Sequence, residues 1–214
     1  MARLQKAIID NGGDLSKVNG DSIFPVLNML NMRYVIMKTS EGKKVPVFNP
    51  HAMGNAWFVD EIHWVGNADD ELAALSKEDL RRVAVVDEKF RELLSGEDIP
   101  EGSSLAKVKL VGYEANSLRY EVESAKGGVI VFSDIFYPGW TAKVSGEDAA
   151  VVRADYILRA IRVPAGKHEV VMTFDPQTVH TTETIAYGAL AVLALIMLCK
   201  IITLIYKRNK KCQK

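Results

Sequence analysis

Aromatic, acidic and basic side chains that could bind a sugar are concentrated in two segments of this sequence. The first segment reads Ser-Asp-Ile-Phe-Tyr-Pro-Gly-Trp at 133–140, and the second covers residues 153–159. Aromatic rings stack on the apolar faces of sugars, while charged groups exchange hydrogen bonds with sugar hydroxyls. With one tryptophan from the first half of the chain, the candidate glycan-binding residues are Trp57, Asp134, Tyr137, Trp140, Arg153, Asp155, Tyr156 and Arg159.

A structural role for the same side chains is the alternative. Trp140 would then fill the core of a β-domain, and an arginine of the second segment would pair with an aspartate of either segment to hold the loops. Trp57 and Trp64, in the first half of the chain, have the same two interpretations.

The sequence contains no recognisable catalytic arrangement. It has no glycine-rich phosphate loop, no His-Glu-x-x-His and no Gly-x-Ser-x-Gly. The four histidines are scattered, and Cys199 and Cys212 lack zinc-ligand spacing. The acidic run at 69–71 lies where a helix is predicted to begin, a position that acids favour. We therefore predict no catalytic residue, no metal site and no cofactor, and the sequence leaves open whether the protein is an enzyme.

The strongest element in the sequence is an apolar segment at 184–206. Its 23 residues would extend about 34 Å as a helix, enough to cross a hydrocarbon core of about 30 Å. Lys200 is the only charged residue within it. Gly188 and four nearby alanines suit a membrane helix that packs against other helices. We predict one transmembrane helix here.

Charge predicts the orientation of this helix. All 27 acidic residues precede residue 184, against 21 of the 27 basic residues, and the tail at 207–214 carries five basic residues and no acid. The positive-inside rule places this basic tail in the cytoplasm, near anionic lipid, and residues 1 to about 180 outside. No basic patch in the large region indicates nucleic acid as a partner.

The amino terminus has no apolar stretch of the length that a signal peptide needs. An exported domain requires such a signal or an earlier membrane span. We therefore expect the chain to be the carboxyl-terminal piece of a longer membrane protein, with a tail-anchored cytoplasmic protein as the weaker alternative.

Residues 1–100 are predicted to form a small mixed α/β lobe outside the cytoplasm. A helix capped by Ser22 is expected at 22–31. The remaining predicted elements are strands at 34–37, 45–48, 56–65 and 83–86 and helices at 70–75 and 77–82.

Residues 101–178 are predicted to form an antiparallel β-sandwich. Apolar and polar residues alternate at 118–123, which is typical of a strand with one buried face, and the apolar run at 128–133 indicates a strand buried on both faces. Hairpin turns are expected at 145–148 and 164–167. The predicted fold class is therefore α+β, with a mixed lobe, a β-sandwich and one carboxyl-terminal transmembrane helix.

Five segments of the sequence carry a family resemblance. They are Leu-Asn-Met-Arg-Tyr-Val-Ile at 30–36, Asn-Pro-His-Ala-Met-Gly-Asn-Ala-Trp-Phe-Val at 49–59, the segment at 133–140, Arg-Ala-Asp-Tyr-Ile-Leu-Arg-Ala at 153–160, and Val-Pro-Ala-Gly-Lys-His at 163–168. In this order they resemble the carboxyl-terminal region of YfhO-like bacterial membrane proteins, in the form typical of Bacteroidetes. The family usually has Asp-Gly in the hairpin where this chain has Ser145 and Gly146.

The resemblance implies a large polytopic protein of the glycosyltransferase C type, which adds sugars to cell-envelope polymers from a lipid-linked donor. The catalytic acid of such proteins lies in an early loop, so none can be assigned to this chain. The chain would be a non-catalytic accessory module that assists glycosyl transfer in the bacterial cytoplasmic membrane. Its implied partners are the lipid bilayer, other transmembrane helices and an envelope glycan or lipid-linked sugar. The alternative is a membrane-anchored glycan-binding or scaffolding domain.

Overall fold

The computed structural model describes residues 2–20, 24–38, 41–94 and 106–212, with side chains described from residue 6 to residue 203 within those ranges. The predicted cap at Ser22 and the predicted boundary between lobes at residues 100 and 101 lie outside the described residues. The chain divides into two compact units, Met1–Phe174 and Asp175–Lys214.

The first unit contains helices and strands, and the described part of the second unit contains one long helix. The α-helices are α1 (Ala2–Asp10), α2 (Pro25–Met29), α3 (Ala68–Ala74), α4 (Arg91–Leu94) and α5 (Gln177–Cys212). Single 3-10 turns lie at Leu15–Lys17 and Glu88–Phe90. The strands are β1 (Tyr34–Lys38), β2 (Lys44–Phe48), β3 (Ala56–Val59), β4 (Glu61–Val65), β5 (Val83–Asp87), β6 (Lys107–Glu114), β7 (Ser117–Ser124), β8 (Gly128–Ile135), β9 (Trp140–Val144), β10 (Glu147–Ala149), β11 (Val152–Ala154), β12 (Leu158–Val163) and β13 (Gly166–Phe174).

Two antiparallel sheets pack face to face as the predicted β-sandwich. One has the order β10-β9-β13-β7-β6, and the other has the order β11-β12-β8-β3. Alternate side chains of β7 are buried between the sheets, which confirms the interpretation of the polar and apolar alternation at 118–123. Tyr120 and Phe132 meet at the centre of this core with their rings 4.9 Å apart.

The four-stranded sheet is buried on both faces because a third layer covers its second side. This layer consists of α3 and the parallel pair β4-β5, and it packs on the outward side chains of β8, β11 and β12. The first five residues of β8 are all buried, as the apolar run at 128–133 predicts. Residues of the first predicted lobe therefore supply both this third layer and strand β3 of the sandwich.

Three elements differ from the sequence prediction. The hairpin predicted at 164–167 is wrong, because β12 and β13 on either side of it belong to different sheets, so the segment connects the two sheets. The strand predicted at 56–65 is interrupted at Asp60, so that β3 joins the sandwich while β4 pairs with β5. The helix predicted at 77–82 is wrong, because that segment forms turns. Asp79 accepts a hydrogen bond from Arg81 N, and its backbone carbonyl accepts from Arg82 N and Val83 N, which closes a tight turn ahead of β5.

Helix α5 includes the predicted membrane span. Its segment Gln177–Thr203 has the length and composition to cross a membrane, since 27 residues extend about 40 Å. All of its described side chains are exposed, as expected for a helix that is surrounded by lipid or by other helices. The predicted fold class, a mixed α and β protein with antiparallel sheets and one carboxyl-terminal membrane helix, is confirmed.

Candidate functional site

A polar pocket of about 190 Å³ opens beside the edge of the five-stranded sheet. We call it the asparagine pocket. Amide, hydroxyl and carboxylate groups from five separate parts of the chain line it, together with two leucines. The lining residues are Leu30, Asn31, Asn55, Leu110, Tyr113, Tyr120, Ser133 and Asp134.

Asn31 is placed in the pocket by the end of helix α2. Its φ of 53° lies in the left-handed region, and Met32 N donates back to Leu27 O, which closes the helix with a left-handed residue. Asparagine tolerates this conformation better than other residues that have a Cβ. The Asn31 amide Nδ2 donates to Asn55 Oδ1 at 2.9 Å, so the two asparagines are held together.

Strand β8 anchors the other asparagine. Ser133 N donates to Asn55 O at 3.0 Å, and the Ser133 hydroxyl donates to Gly54 O. Gly54 has a φ of 85°, which a glycine adopts without strain. On the opposite wall the pairing of β6 with β7 shifts register between Leu110 and Gly112, and such bulges re-aim side chains at the edge of a sheet.

Asp134 lines the pocket and forms an ion pair with the buried guanidinium of Arg159. Its Oδ2 lies 3.3 Å from Arg159 Nη2 and accepts a hydrogen bond from the Tyr120 hydroxyl at 3.3 Å. Burial raises the pKa of Tyr120, and the charge of Asp134 adds to that rise. Burial lowers the pKa of Arg159, which is only 2% exposed, while Asp134 opposes that shift. The pair therefore keeps a charged guanidinium inside the sandwich.

Two buried polar atoms at this site have no hydrogen-bond partner among the described residues. They are Oδ1 of Asn31 and Nε of Arg159. A buried acceptor without a donor costs free energy, and this oxygen has less than 1 Å² of accessible surface, so its cost falls on the fold of the site.

Trp140, one of the candidate glycan-binding residues, is partly buried and packs against two protein side chains. The guanidinium carbon of Arg159 lies 4.1 Å from the centroid of its ring, and the ring of Phe174 lies 5.3 Å away with a tilt of 41°. Tyr137 extends this aromatic group, with its ring 6.0 Å from that of Phe174. Asp134, Tyr137, Trp140 and Arg159 are thus brought together, and Trp140 packs partly buried against the core of the sandwich.

Arg153, Asp155 and Tyr156 lie in a second place, at the turn between β11 and β12. Arg153 Nη2 lies 2.6 Å from Glu71 Oε2, and Tyr156 N donates to Glu71 Oε1 at 2.7 Å. Glu71 is fully buried, and burial raises its pKa. The acidic run at 69–71 therefore begins helix α3 and also holds this turn against the third layer.

Asp155 joins the same turn to strand β5 by two hydrogen bonds. Val85 N donates to Asp155 Oδ1 at 2.8 Å, and Asp155 N donates to Val85 O at 2.8 Å. Asp155 and Tyr156 both have positive φ values, 48° and 70°, so this turn is strained without these contacts. Burial raises the pKa of Asp155 to about 7.

Trp57 lies apart from both groups. Its Nε1 donates to Leu80 O at 2.9 Å, and its ring packs on the core beneath the third layer. Of the eight candidate residues, only Asp134 lines the asparagine pocket.

Sequence reasoning missed most of the pocket. Asn31, Asn55 and Ser133 do lie in the segments that carry the family resemblance, and that was the available signal. Tyr113 and Tyr120 lie on strands where nothing in the local pattern distinguishes them. Across the described ranges no group of three His, Cys, Asp or Glu side chains is placed to hold a metal ion.

Comparison with known proteins gives one family. Residues 102–186 match the model of the family described as bacterial membrane protein YfhO. The match includes every strand from β6 to β13 and the first turns of α5. No curated protein and no solved structure matches the chain.

Proposed function

We propose that this chain, whose residues 102–186 match the YfhO family of bacterial membrane proteins, is the extracytoplasmic accessory module and last transmembrane helix of a polytopic protein that transfers sugars to a cell-envelope polymer. In this role the chain binds glycan and does not itself catalyse the transfer. The asparagine pocket is the observation that carries the proposal.

Membrane localisation follows from the family and from helix α5. The orientation is part of the proposal and rests on charge. The tail after the helix contains five basic residues and no acid, whereas the large unit has an excess of acids. The positive-inside rule then places the asparagine pocket outside the cytoplasm, where envelope polymers are modified.

Thiol labelling tests this orientation because the chain has only two cysteines, Cys199 and Cys212. In a Cys199→Ser background, we expect a membrane-impermeant maleimide to label Cys212 only after the cells are permeabilised. As the matched control, Asp148→Cys in a chain without native cysteines should label in intact cells, since that side chain is 89% exposed. Labelling of Cys212 in intact cells would refute the orientation.

The small residues of helix α5 bear on whether the chain works within a larger assembly. Gly188 has nothing within 4 Å of the position that a Cβ would occupy, and alanines lie at 186, 189, 191 and 194. Small residues allow the backbones of membrane helices to approach closely. This supports packing of α5 against other transmembrane helices and favours the accessory module over a simple anchored scaffold.

Replacement of the helix discriminates between these two functions. In the source bacterium, residues 184–206 are exchanged for a polyleucine span of equal length, and the sugar content of the envelope polymers is measured against a deletion strain. We expect the polyleucine chain to reach the membrane and to fail in restoring the modification, while the wild-type chain restores it. Full restoration by the polyleucine chain would favour the anchored scaffold, and an unchanged polymer in the deletion strain would refute a role in glycosyl transfer.

A further inference from the structure

The hairpin formed by β1 and β2 carries an exposed apolar face, which consists of Tyr34, Ile36, Pro46 and Phe48 and which we call the hairpin face. Its register places Tyr34 opposite Phe48 and Ile36 opposite Pro46, and directly paired side chains project from the same side of a strand pair. All four residues are exposed, Tyr34 by 59%, Ile36 by 70% and Phe48 by 52%. The rings of Tyr34 and Phe48 lie 5.5 Å apart, so the face is a continuous surface.

The opposite side of the same hairpin packs on the protein. Val35 and Val47 are paired across the two strands and belong to a cluster that includes the buried Leu15 and Phe24. Neighbouring positions along a strand face opposite sides. The packing of Val35 and Val47 therefore turns the hairpin face outward, and its exposure follows from the strand register.

Two lysines continue the hairpin face. Lys38 and Lys44 are directly opposed and lie two positions from Ile36 and Pro46, which places them on the same side. Like charges directly opposite each other destabilise a strand pair, so this arrangement does not stabilise the fold. Residues 33–48 contain four basic residues and one acid, although the region ahead of the membrane span has an excess of acids. The hairpin is thus a basic and apolar surface on an acidic part of the chain.

This chemistry fits the surface of an anionic membrane. Aromatic and aliphatic side chains enter the headgroup region of a bilayer, and lysines beside them are attracted to anionic lipid. Helix α5 holds the chain at a bilayer, so docking of the hairpin is intramolecular and a small apolar area is sufficient.

A protein partner fits the hairpin face less well. At about 200 Å² for a large apolar side chain, Tyr34, Ile36 and Phe48 together expose about 360 Å². A standard protein interface buries about 800 Å² on each partner. Addition of a further strand is disfavoured as well, because Pro46 has no backbone N–H and lysines discourage pairing at a sheet edge.

We propose that the hairpin face docks on anionic lipid, with Tyr34, Ile36 and Phe48 in the headgroup region and with Lys38 and Lys44 against lipid phosphates. The hairpin is then a second contact of the chain with the membrane, in addition to helix α5. This inference goes beyond the proposed function, since it rests on membrane localisation and not on sugar transfer.

Quenching by labelled lipid measures the docking in the full chain. A chain with Cys199→Ser and Cys212→Ser receives Ile36→Cys, is labelled with a fluorophore and is placed in nanodiscs that contain nitroxide-labelled lipid. The discs consist of phosphatidylcholine alone or of an equal mixture with phosphatidylglycerol. Leu72→Cys is the matched control, because Leu72 is also an exposed apolar residue but lies in α3 beside the acidic run at 69–71.

In the anionic discs we expect the probe at residue 36 to be quenched and the probe at residue 72 to be quenched far less. The quenched fraction gives the ratio of docked to undocked hairpin, which we call the docking constant. In discs of phosphatidylcholine alone the docking constant should fall. Phe48→Ser should also lower it, which shows that protein side chains and not the fluorophore alone carry the docking.

The lysine pair is tested by Lys38→Gln combined with Lys44→Gln. This variant should lower the docking constant in anionic discs about 30-fold, the effect of two lysines near an anionic surface. Its melting temperature should not fall, because the substitutions remove a like-charged pair. Lys77→Gln combined with Lys126→Gln removes two other exposed lysines and should leave the docking constant unchanged.

Several results would overturn the inference. Equal quenching at residues 36 and 72 would show that the hairpin does not dock, and equal docking constants in the two kinds of disc would exclude anionic lipid as the partner. An unchanged docking constant in the Lys38 and Lys44 variant would remove the lysine pair from the surface. A blue-shifted probe that nitroxide lipid does not quench, and whose shift grows with the number of chains per disc, would identify a second copy as the occupant. None of these results bears on the deletion strain, so the two proposals fail separately.

Discussion

Asp155→Asn tests the assignment of Asp155 as a buried carboxyl with a raised pKa that joins the turn between β11 and β12 to β5 by hydrogen bonds. The side chain is fully buried, and its Oδ2 has no partner among the described residues. Burial raises its pKa from the ordinary 3.8 to about 7. Asparagine keeps Oδ1 as the acceptor for Val85 N and removes the titration.

The sign and size of the effect follow from the shift in pKa. A carboxyl group that holds its proton more tightly in the folded state stabilises the fold at low pH, and this stabilisation is lost as pH rises from about 4 through about 7. A shift of about 3 pH units corresponds to about 4 kcal/mol at 1.36 kcal/mol per unit, which is an upper value. In Asp155→Asn the free energy of unfolding is also lowered by about 1–3 kcal/mol at every pH, because the new Nδ2 is buried without an acceptor.

Urea unfolding of the full chain in detergent measures the difference. All three tryptophans lie in the Met1–Phe174 unit, so their fluorescence reports its unfolding. Between pH 4 and pH 8, the free energy of unfolding of Asp155→Asn should gain up to about 4 kcal/mol relative to the wild type. Asp148→Asn, an exposed control, should follow the wild-type curve. Parallel curves for the wild type and Asp155→Asn would refute the buried, protonated carboxyl.

Three further substitutions test the sandwich. Arg159→Ala should lower the free energy of unfolding by about 2–3 kcal/mol. This is less than the loss expected for a fully buried ion pair, because the Asp134 carboxylate is partly exposed. A loss under about 0.5 kcal/mol would contradict the pairing. Trp140→Ala should lower the melting temperature, because the ring packs on Arg159 and Phe174, and an unchanged melting curve would contradict this packing. Gly127→Ala places a Cβ 2.6 Å from the backbone carbonyl oxygen of Val163 and should destabilise the fold. Gly146→Ala is the control, because Gly146 also has a positive φ but has open space at the Cβ position. Equal losses of unfolding free energy in the two variants would contradict the close approach at Gly127.

Several elements could be predicted because their signal is local. The alternation at 118–123 predicts a strand with one buried face, and β7 buries alternate side chains. The apolar run at 128–133 predicts a strand buried on both faces, and the first five residues of β8 are all buried. The turn at Ser145 and Gly146 has two positive φ values, as a two-residue hairpin requires. The same local reasoning failed at 77–82, where hydrogen bonds to Asp79 stabilise a turn instead of a helix.

The candidate site depended on contacts that local patterns do not contain. The segments at 133–140 and 153–159 look alike in composition, yet Arg159 turns toward Asp134 inside the sandwich, while Arg153 turns toward Glu71 in the third layer. Register does not separate them, because Arg153 and Arg159 are paired across β11 and β12, and directly paired residues project from the same face of a sheet. Arg153 lies on β11, the edge strand of its sheet, and from there its long side chain reaches Glu71.

Helix α5 and the alternating strands were determined by the sequence itself, since a long apolar run or a period of two reports the surroundings of a single element. The asparagine pocket was decided only by the tertiary structure. Asn31, Asn55 and Ser133 lie far apart along the chain and meet because β3 pairs with β8 and α2 ends in a left-handed turn. That pairing depends on the packing of two layers against the two faces of the four-stranded sheet, and its stability is a property of the whole core rather than of any segment.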